Sequence, residues 1–149
     1  MIRCVLGERK SGKSVYVENQ VKEKDEKALY IATLPKLHIY QEIINIHQSR
    51  RPSTWECVEL FQMSAEEILS FRYENYRNVI LDNLSYYLWL RLYFYRNRFV
   101  QEYDERVIAL FDRIAANNNT TIYFVDTPLH EEVVEDDNGF IRRVFTRIL

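Results

Sequence analysis

Residues Gly7-Glu8-Arg9-Lys10-Ser11-Gly12-Lys13-Ser14 satisfy G-x-x-x-x-G-K-[ST] without a mismatch. That pattern is a phosphate-binding loop, and each residue type has a physical task in it. Gly7 and Gly12 permit backbone angles and close approaches that a side chain forbids. The loop amides and a following helix N-terminus then face an anion. Lys13 reaches the outer phosphates and the Ser14 hydroxyl serves Mg²⁺. Further along, Asn78-Val79-Ile80-Leu81-Asp82 is an apolar run ending in a carboxylate. This is the Walker B pattern, in which the strand-end Asp holds Mg²⁺ directly or through water. A second constellation is His47 followed by Arg50 and Arg51. A lone histidine on a helix is usually structural or solvated, but guanidinium forks bind phosphates, so the adjacent arginines give this one weight. Together these residues predict a nucleoside triphosphate, GTP or ATP, handled with Mg²⁺.

The elements that position these groups follow from the apolar pattern. Ile2 to Leu6 predicts a short buried strand, and Val15 to Lys24 a helix, so the loop has the strand–loop–helix setting its chemistry needs. The mixed-charge run Lys22 to Lys27 predicts a solvated helix end. Ala28 to Ala32 predicts a second buried strand that completes a βαβ unit. Ile39 to Arg50 predicts a helix with Ile39, Ile43 and Ile46 at its apolar positions, stopped by Pro52. Trp55 to Leu60 alternates as a strand does. Ser64 and Glu67 predict a capping box for a helix running to Tyr73. Leu84 to Asn97 is apolar almost all round, so it predicts a helix buried in the core or against a partner subunit. Its central Arg91 and short length argue against a membrane span. Phe99 to Ala116 predicts an amphipathic helix with Val100, Tyr103, Val107, Leu110, Phe111 and Ile114 on one side. Thr120 to Val125 predicts a strand ending at Asp126. His130 to Asp137 reads as a solvated acidic loop and Asn138-Gly139 as a turn. Phe140 to Leu149 reads as the start of a helix. Alternating strands and helices predict an α/β fold: a three-layer, P-loop NTPase-like arrangement with a mainly parallel sheet. The nucleotide belongs at the carboxyl ends of the strands.

The 149 residues fit one domain, 1–149, with a substantial core. A net charge of −2 supplies no basic field for nucleic acid. Cys4 and Cys57 lack metal-ligand spacing and read as reduced core thiols, which points to the cytoplasm. Ile2 opens the first strand with no apolar leader region before it, and no run reaches the length of a membrane span. Of only 3 glycines, two lie in the phosphate loop, so the residue is used where backbone geometry demands it.

Taken in order, the phosphate loop, Leu29-Tyr30-Ile31-Ala32-Thr33 and His47-Gln48-Ser49-Arg50-Arg51-Pro52-Ser53-Thr54-Trp55 resemble the bifunctional adenosylcobinamide kinase/adenosylcobinamide-phosphate guanylyltransferase family. Asp82-Asn83-Leu84-Ser85, the following Leu88-Trp89-Leu90, and Arg143-Val144-Phe145 extend the resemblance over nearly the whole chain. The resemblance implies a P-loop α/β fold and a ring-like homo-oligomer. It implies phosphorylation of adenosylcobinamide on its aminopropanol hydroxyl. It also implies transfer of the guanylyl group of GTP to a histidine, here His47, and then to the phosphorylated corrinoid. On this resemblance Lys13 and His47 are the catalytic pair, Arg50 and Arg51 join the loop in holding nucleotide, and Ser14 with Asp82 holds the metal. The sequence departs from the family on the helix before His47, and Val125-Asp126-Thr127-Pro128-Leu129 replaces an Asn-Glu-Val-Gly strand end and its glycine loop. A small kinase with another acceptor shares the loop and Asp82 but not the role of His47. A nucleotide-binding paralogue acting through an oligomer or partner shares the loop alone.

Overall fold

The computed structural model describes residues 1–24, 26–83, 86–87 and 101–127. Five parallel strands form one sheet: β1 (Ile2–Leu6), β2 (Ala28–Ala32), β3 (Glu56–Glu59), β4 (Asn78–Asp82) and β5 (Thr121–Asp126), in the spatial order β1-β5-β4-β2-β3. The helices are α1 (Lys13–Lys22), α2 (Gln41–Arg50), α3 (Ala65–Ser70) and α4 (Gln101–Ala116).

β2, β4 and β5 are apolar nearly throughout because both of their faces are covered. Successive strand side chains point to opposite faces. Leu29, Ile31, Val79, Leu81, Ile122 and Phe124 therefore join one cluster, which includes Ile68 of α3 and Leu110 and Ile114 of α4. Ala28, Tyr30, Ile80, Tyr123 and Val125 join the other, with Val17 and Val21 of α1. Two clusters separated by one sheet make the three-layer α/β arrangement that the sequence predicts. The register aligns Ala32 with Asp82, Asp82 with Val125, and Leu6 with Asp126. The ends of four strands thus lie side by side, and the phosphate loop leaves from one of them.

Several sequence expectations need correction. Residues 38–40 form a 3-10 turn, and α2 begins at Gln41. Ile39, Ile43 and Ile46 are exposed rather than core-facing, and no residue of α2 is fully buried. Helical spacing identified the helix but not the side it presents to the core. The helix expected to run to Tyr73 stops at Ser70. A separate 3-10 turn over Tyr73–Asn75 follows, and Tyr73 and Tyr76 enter the core on the way to β4. Its start does carry the capping box: Glu67 N–H donates to Ser64 Oγ at 3.3 Å, and Ser64 N–H to Glu67 Oε2 at 2.7 Å. Cys4 and Cys57 are both free and both exposed, not core thiols. They sit on β1 and β3, the two outermost strands of the described sheet. Of the aromatic segment Leu84 to Asn97, only Tyr86 and Tyr87 are described, and Tyr87 is buried against Phe61 at 5.9 Å between ring centres. The readings of 128–149, including Arg143-Val144-Phe145, lie outside the described residues.

Candidate functional site

The loop after β1 has the shape its sequence requires. Gly7 N–H donates to the Asp126 carbonyl oxygen at 3.1 Å, tying the loop's start to the end of β5. A Cβ at Gly7 would come within 2.7 Å of Ser11 Oγ, so a side chain there requires the Ser11 hydroxyl to turn away. Gly12 takes φ 86°, and Lys10 also lies in the left-handed region at φ 62°. The chain then enters α1 at Lys13, two residues earlier than the apolar pattern indicates. The first amides of a helix have no partner within it and carry its positive dipole end. Lys13 Nζ donates to the Glu8 carbonyl at 2.9 Å, which folds the ammonium over the loop.

A cavity of about 430 Å³ opens beside this loop. Arg9, Lys10, Lys13 and Ser14 line it from the loop and α1, and Tyr30, Thr33 and Asp82 from the strand ends. Tyr40, Ile43, Ile44, His47 and Arg51 line it from α2 and its flanks, with Tyr86 and Thr127. The Tyr40 and Tyr86 hydroxyls lie 3.1 Å apart, and the two rings meet edge to face.

Asp82 is held from two directions. The Tyr30 hydroxyl donates to its Oδ2 at 2.7 Å. Thr33 Oγ1 donates to the Asp82 carbonyl at 2.8 Å and accepts from Asn83 N–H at 2.8 Å. Burial and the neighbouring Asp82 charge raise the Tyr30 phenol well above its ordinary pKa, so it stays a donor. The Arg51 guanidinium covers the Tyr30 ring at 3.5 Å and donates to Cys57 Sγ at 3.2 Å. Its Nε is buried and makes no hydrogen bond among the described residues. A buried donor of this kind is costly unless an acceptor reaches it.

His47 stands at the other side of the site. Its Nδ1 lies 3.2 Å from Arg50 Nη2 and 4.0 Å from Glu18 Oε1. Glu18, on α1, is 1% exposed and receives Arg50 Nε at 3.0 Å and Arg50 Nη2 at 3.2 Å. Burial lowers the His47 pKa from its ordinary value; Arg50 and Arg51 add to the shift, while Asp82 and Glu18 oppose it. The imidazole is therefore neutral at pH 7, the state a nucleophile needs.

Among the residues singled out from sequence, the fold brings Arg9, Lys10, Lys13, Ser14, His47, Arg51 and Asp82 to one cavity. Gly7, Glu8, Ser11 and Gly12 shape the loop without lining that cavity. Arg50 does not line it either; its guanidinium is engaged by Glu18. Glu18, Tyr30, Tyr40 and Tyr86 were not singled out as site residues. The available signal for Glu18 was its place beside Val17 on the face of α1 that also carries Val21. For the tyrosines it was a phenol within an otherwise apolar strand or turn.

Ser14 and Asp82 are hard oxygen donors on the same cavity, and a carboxylate accepts at both oxygens. Among the described residues there is no group of three or more His, Cys, Asp or Glu side chains able to hold a metal. This donor set fits Mg²⁺, which takes one or two protein oxygens and fills its remaining positions with water and phosphate.

A phosphate loop after the first strand of a parallel sheet, with an acidic strand end beside it, defines a P-loop α/β protein. The chain belongs to the cobinamide kinase / cobinamide phosphate guanyltransferase family, whose sequence pattern matches residues 3–148. No curated protein matches the sequence. Among solved structures, the RadB recombinase has a similar fold with a TM-score of 0.53 and 14% identity, covering 90% of this chain. The match spans 64% of the recombinase chain. The flagellar accessory protein FlaH from Methanocaldococcus jannaschii gives a TM-score of 0.49 at 15% identity, over 99% of this chain and 67% of that one. Among the described residues, no helix is long and apolar enough to cross a membrane.

Proposed function

We propose that this protein is a nucleotide-dependent transferase acting on cobinamide, with His47 as the covalent carrier of a guanylyl group. The observation that carries the reading is the meeting of His47 with Lys13, Ser14 and Asp82 on one cavity, in a chain of this family. The loop amides and Lys13 hold the triphosphate, and Arg51 offers its buried Nε to a phosphate oxygen. Ser14 and Asp82 hold Mg²⁺, which when bound neutralises phosphate charge. In guanylyl transfer, the lone pair of the His47 ring nitrogen facing the cavity forms a bond to the α-phosphorus of GTP. The bond from that phosphorus to the bridging oxygen breaks, and pyrophosphate leaves with the electron pair. The phosphate of phosphorylated cobinamide then attacks the same phosphorus, and the imidazole departs with its pair restored. In the kinase reaction the cobinamide hydroxyl oxygen bonds to the γ-phosphorus, the bond from that phosphorus to the bridging oxygen breaks with its pair leaving on the nucleoside diphosphate, and the hydroxyl proton passes to solvent water. A cytoplasmic homo-oligomer is part of the same reading, and sedimentation velocity tests the assembly.

Incubation with α-labelled GTP and Mg²⁺ is the test. We expect acid-labile label on the wild-type protein and none on His47→Ala, with GTP binding retained in both. No label on the wild type, or equal label on His47→Ala, overturns the role of His47. Tight GTP binding with neither label nor phosphorylated cobinamide identifies a nucleotide-binding paralogue instead.

A further inference from the structure

Glu18 is a buried carboxylate that does not line the cavity, and it sits one helical turn beyond Ser14. Burying a charge is unfavourable unless it is paired, and Arg50 pairs it through two nitrogens. A plain structural ion pair would end there. This one continues: the same Arg50 Nη2 lies 3.2 Å from His47 Nδ1, and Glu18 Oε1 lies 4.0 Å from that nitrogen. Nδ1 is thus directed at the ion pair, whereas His47 Nε2 makes no hydrogen bond among the described residues. Only one ring nitrogen of a neutral imidazole carries a proton, and the other holds the reactive lone pair.

We infer that Glu18 is a positioning residue for His47, whose carboxylate accepts the Nδ1 proton and so leaves the Nε2 lone pair for phosphorus, with Arg50 as the alternative partner of Nδ1. A guanidinium can only donate. While Arg50 faces Nδ1, that nitrogen accepts and the ring proton sits on Nε2, which cannot then attack. A small rotation that closes the 4.0 Å gap lets Nδ1–H donate to Glu18 instead. When Nε2 bonds to the α-phosphorus and pyrophosphate leaves with its pair, the ring keeps its Nδ1 proton and becomes cationic. Glu18 is then its counterion. When the acceptor phosphate displaces the imidazole, the neutral Nδ1–H ring returns and no proton has left the pair. The ion pair therefore sets when the histidine is reactive. The inference rests on the guanylyl-transfer reading above.

Two measurements on Glu18→Gln separate the two claims. The first is the rate of labelling by α-labelled GTP. It should fall by about a hundred-fold or more, the cost of removing the group that orients a catalytic histidine, while GTP affinity is retained. The second is the His47 tautomer ratio, read from long-range ¹H–¹⁵N correlation spectra. The Nδ1–H fraction should drop, because the glutamine amide can donate to Nδ1. Glu18→Asp, which keeps the carboxylate, should recover part of both. If Glu18→Gln does not fold beside an unpaired Arg50, Glu18→Gln/Arg50→Met carries the same two measurements without the unbalanced charge. A wild-type labelling rate or an unchanged tautomer ratio in these variants overturns the inference. If the wild type takes no label, the guanylyl reading falls, and the tautomer ratio alone decides the role of Glu18.

Discussion

Lys13, Asp82 and His47 each present a different kind of group to the same cavity, so their substitutions should fail in different ways. Lys13→Ala removes a charge-assisted contact and should weaken triphosphate binding by about 1.5–3 kcal/mol, measured by calorimetric titration; unchanged affinity would move the site away from the loop. Asp82→Asn should cut Mg²⁺-dependent turnover far more than it lowers the urea midpoint, and wild-type turnover would remove Asp82 from the metal assignment. His47 gives a pH dependence whose sign follows from its neutral form being the nucleophile. Burial lowers its pKa below the ordinary value of about 6.5. The labelling rate should therefore rise as pH increases through that lowered value and be level by pH 7. A rate still rising above about pH 7 would contradict the lowering. The loop and Asp82 were legible in the sequence because their spacing is itself the chemistry, whereas His47 stood out only through its neighbouring arginines and the family resemblance. Arg50 and Arg51 were not separable there. They are adjacent and identical in type, yet Arg50 is the last residue of α2 and Arg51 turns into extended backbone at φ −83° and ψ 138°. That single turn sends one guanidinium to Glu18 and the other to Tyr30.

Among the elements, β2 and β4 were read with their observed limits because strands covered on both faces leave an unbroken apolar run. α2 shows what such patterns omit. Ile39, Ile43 and Ile46 recur at helical spacing but are exposed rather than in the core, and the helix serves the site through Ile43, Ile44 and His47, with Arg51 just past its end. α3 is short and depends on its ends. Ser64→Ala should lower global stability by about 1 kcal/mol through loss of the capping box, read as a shift in the urea midpoint without a change of slope. An unshifted midpoint would show that the box is not formed in solution. α4 packs on the sheet through Leu110 and Ile114. Ile114→Ala should cost about 2–5 kcal/mol, and a loss of only a few tenths would mean that α4 does not cover that face.

At the scale of the molecule, the cavity draws on the loop after β1, the end of β2, the α2 segment, the end of β4 and the residue after β5. A ligand that bridges these segments stabilises the folded state by mass action. GTP at about 100 times its Kd should add about 2.7 kcal/mol, seen as a higher melting temperature that Lys13→Ala loses at the same nucleotide concentration. The two halves of the cavity differ in origin. The phosphate half is set by backbone tied to β1 and β5, and by an aspartate braced by Tyr30 and Thr33. The other half is built from side chains of residues 34–51, on a connection between β2 and β3 that is bound to the sheet by few core residues. Tyr30 belongs to both the packed core and the Asp82 brace, so a drift at that position changes folding and chemistry together. Ile43 and Ile44 carry no such double duty. The fold thus hangs the phosphate loop on backbone tied to the sheet and residues 34–44 on a connection that few core residues fix, so substitutions at Ile43 or Ile44 should reshape the cavity wall at less cost to folding than substitutions at Tyr30.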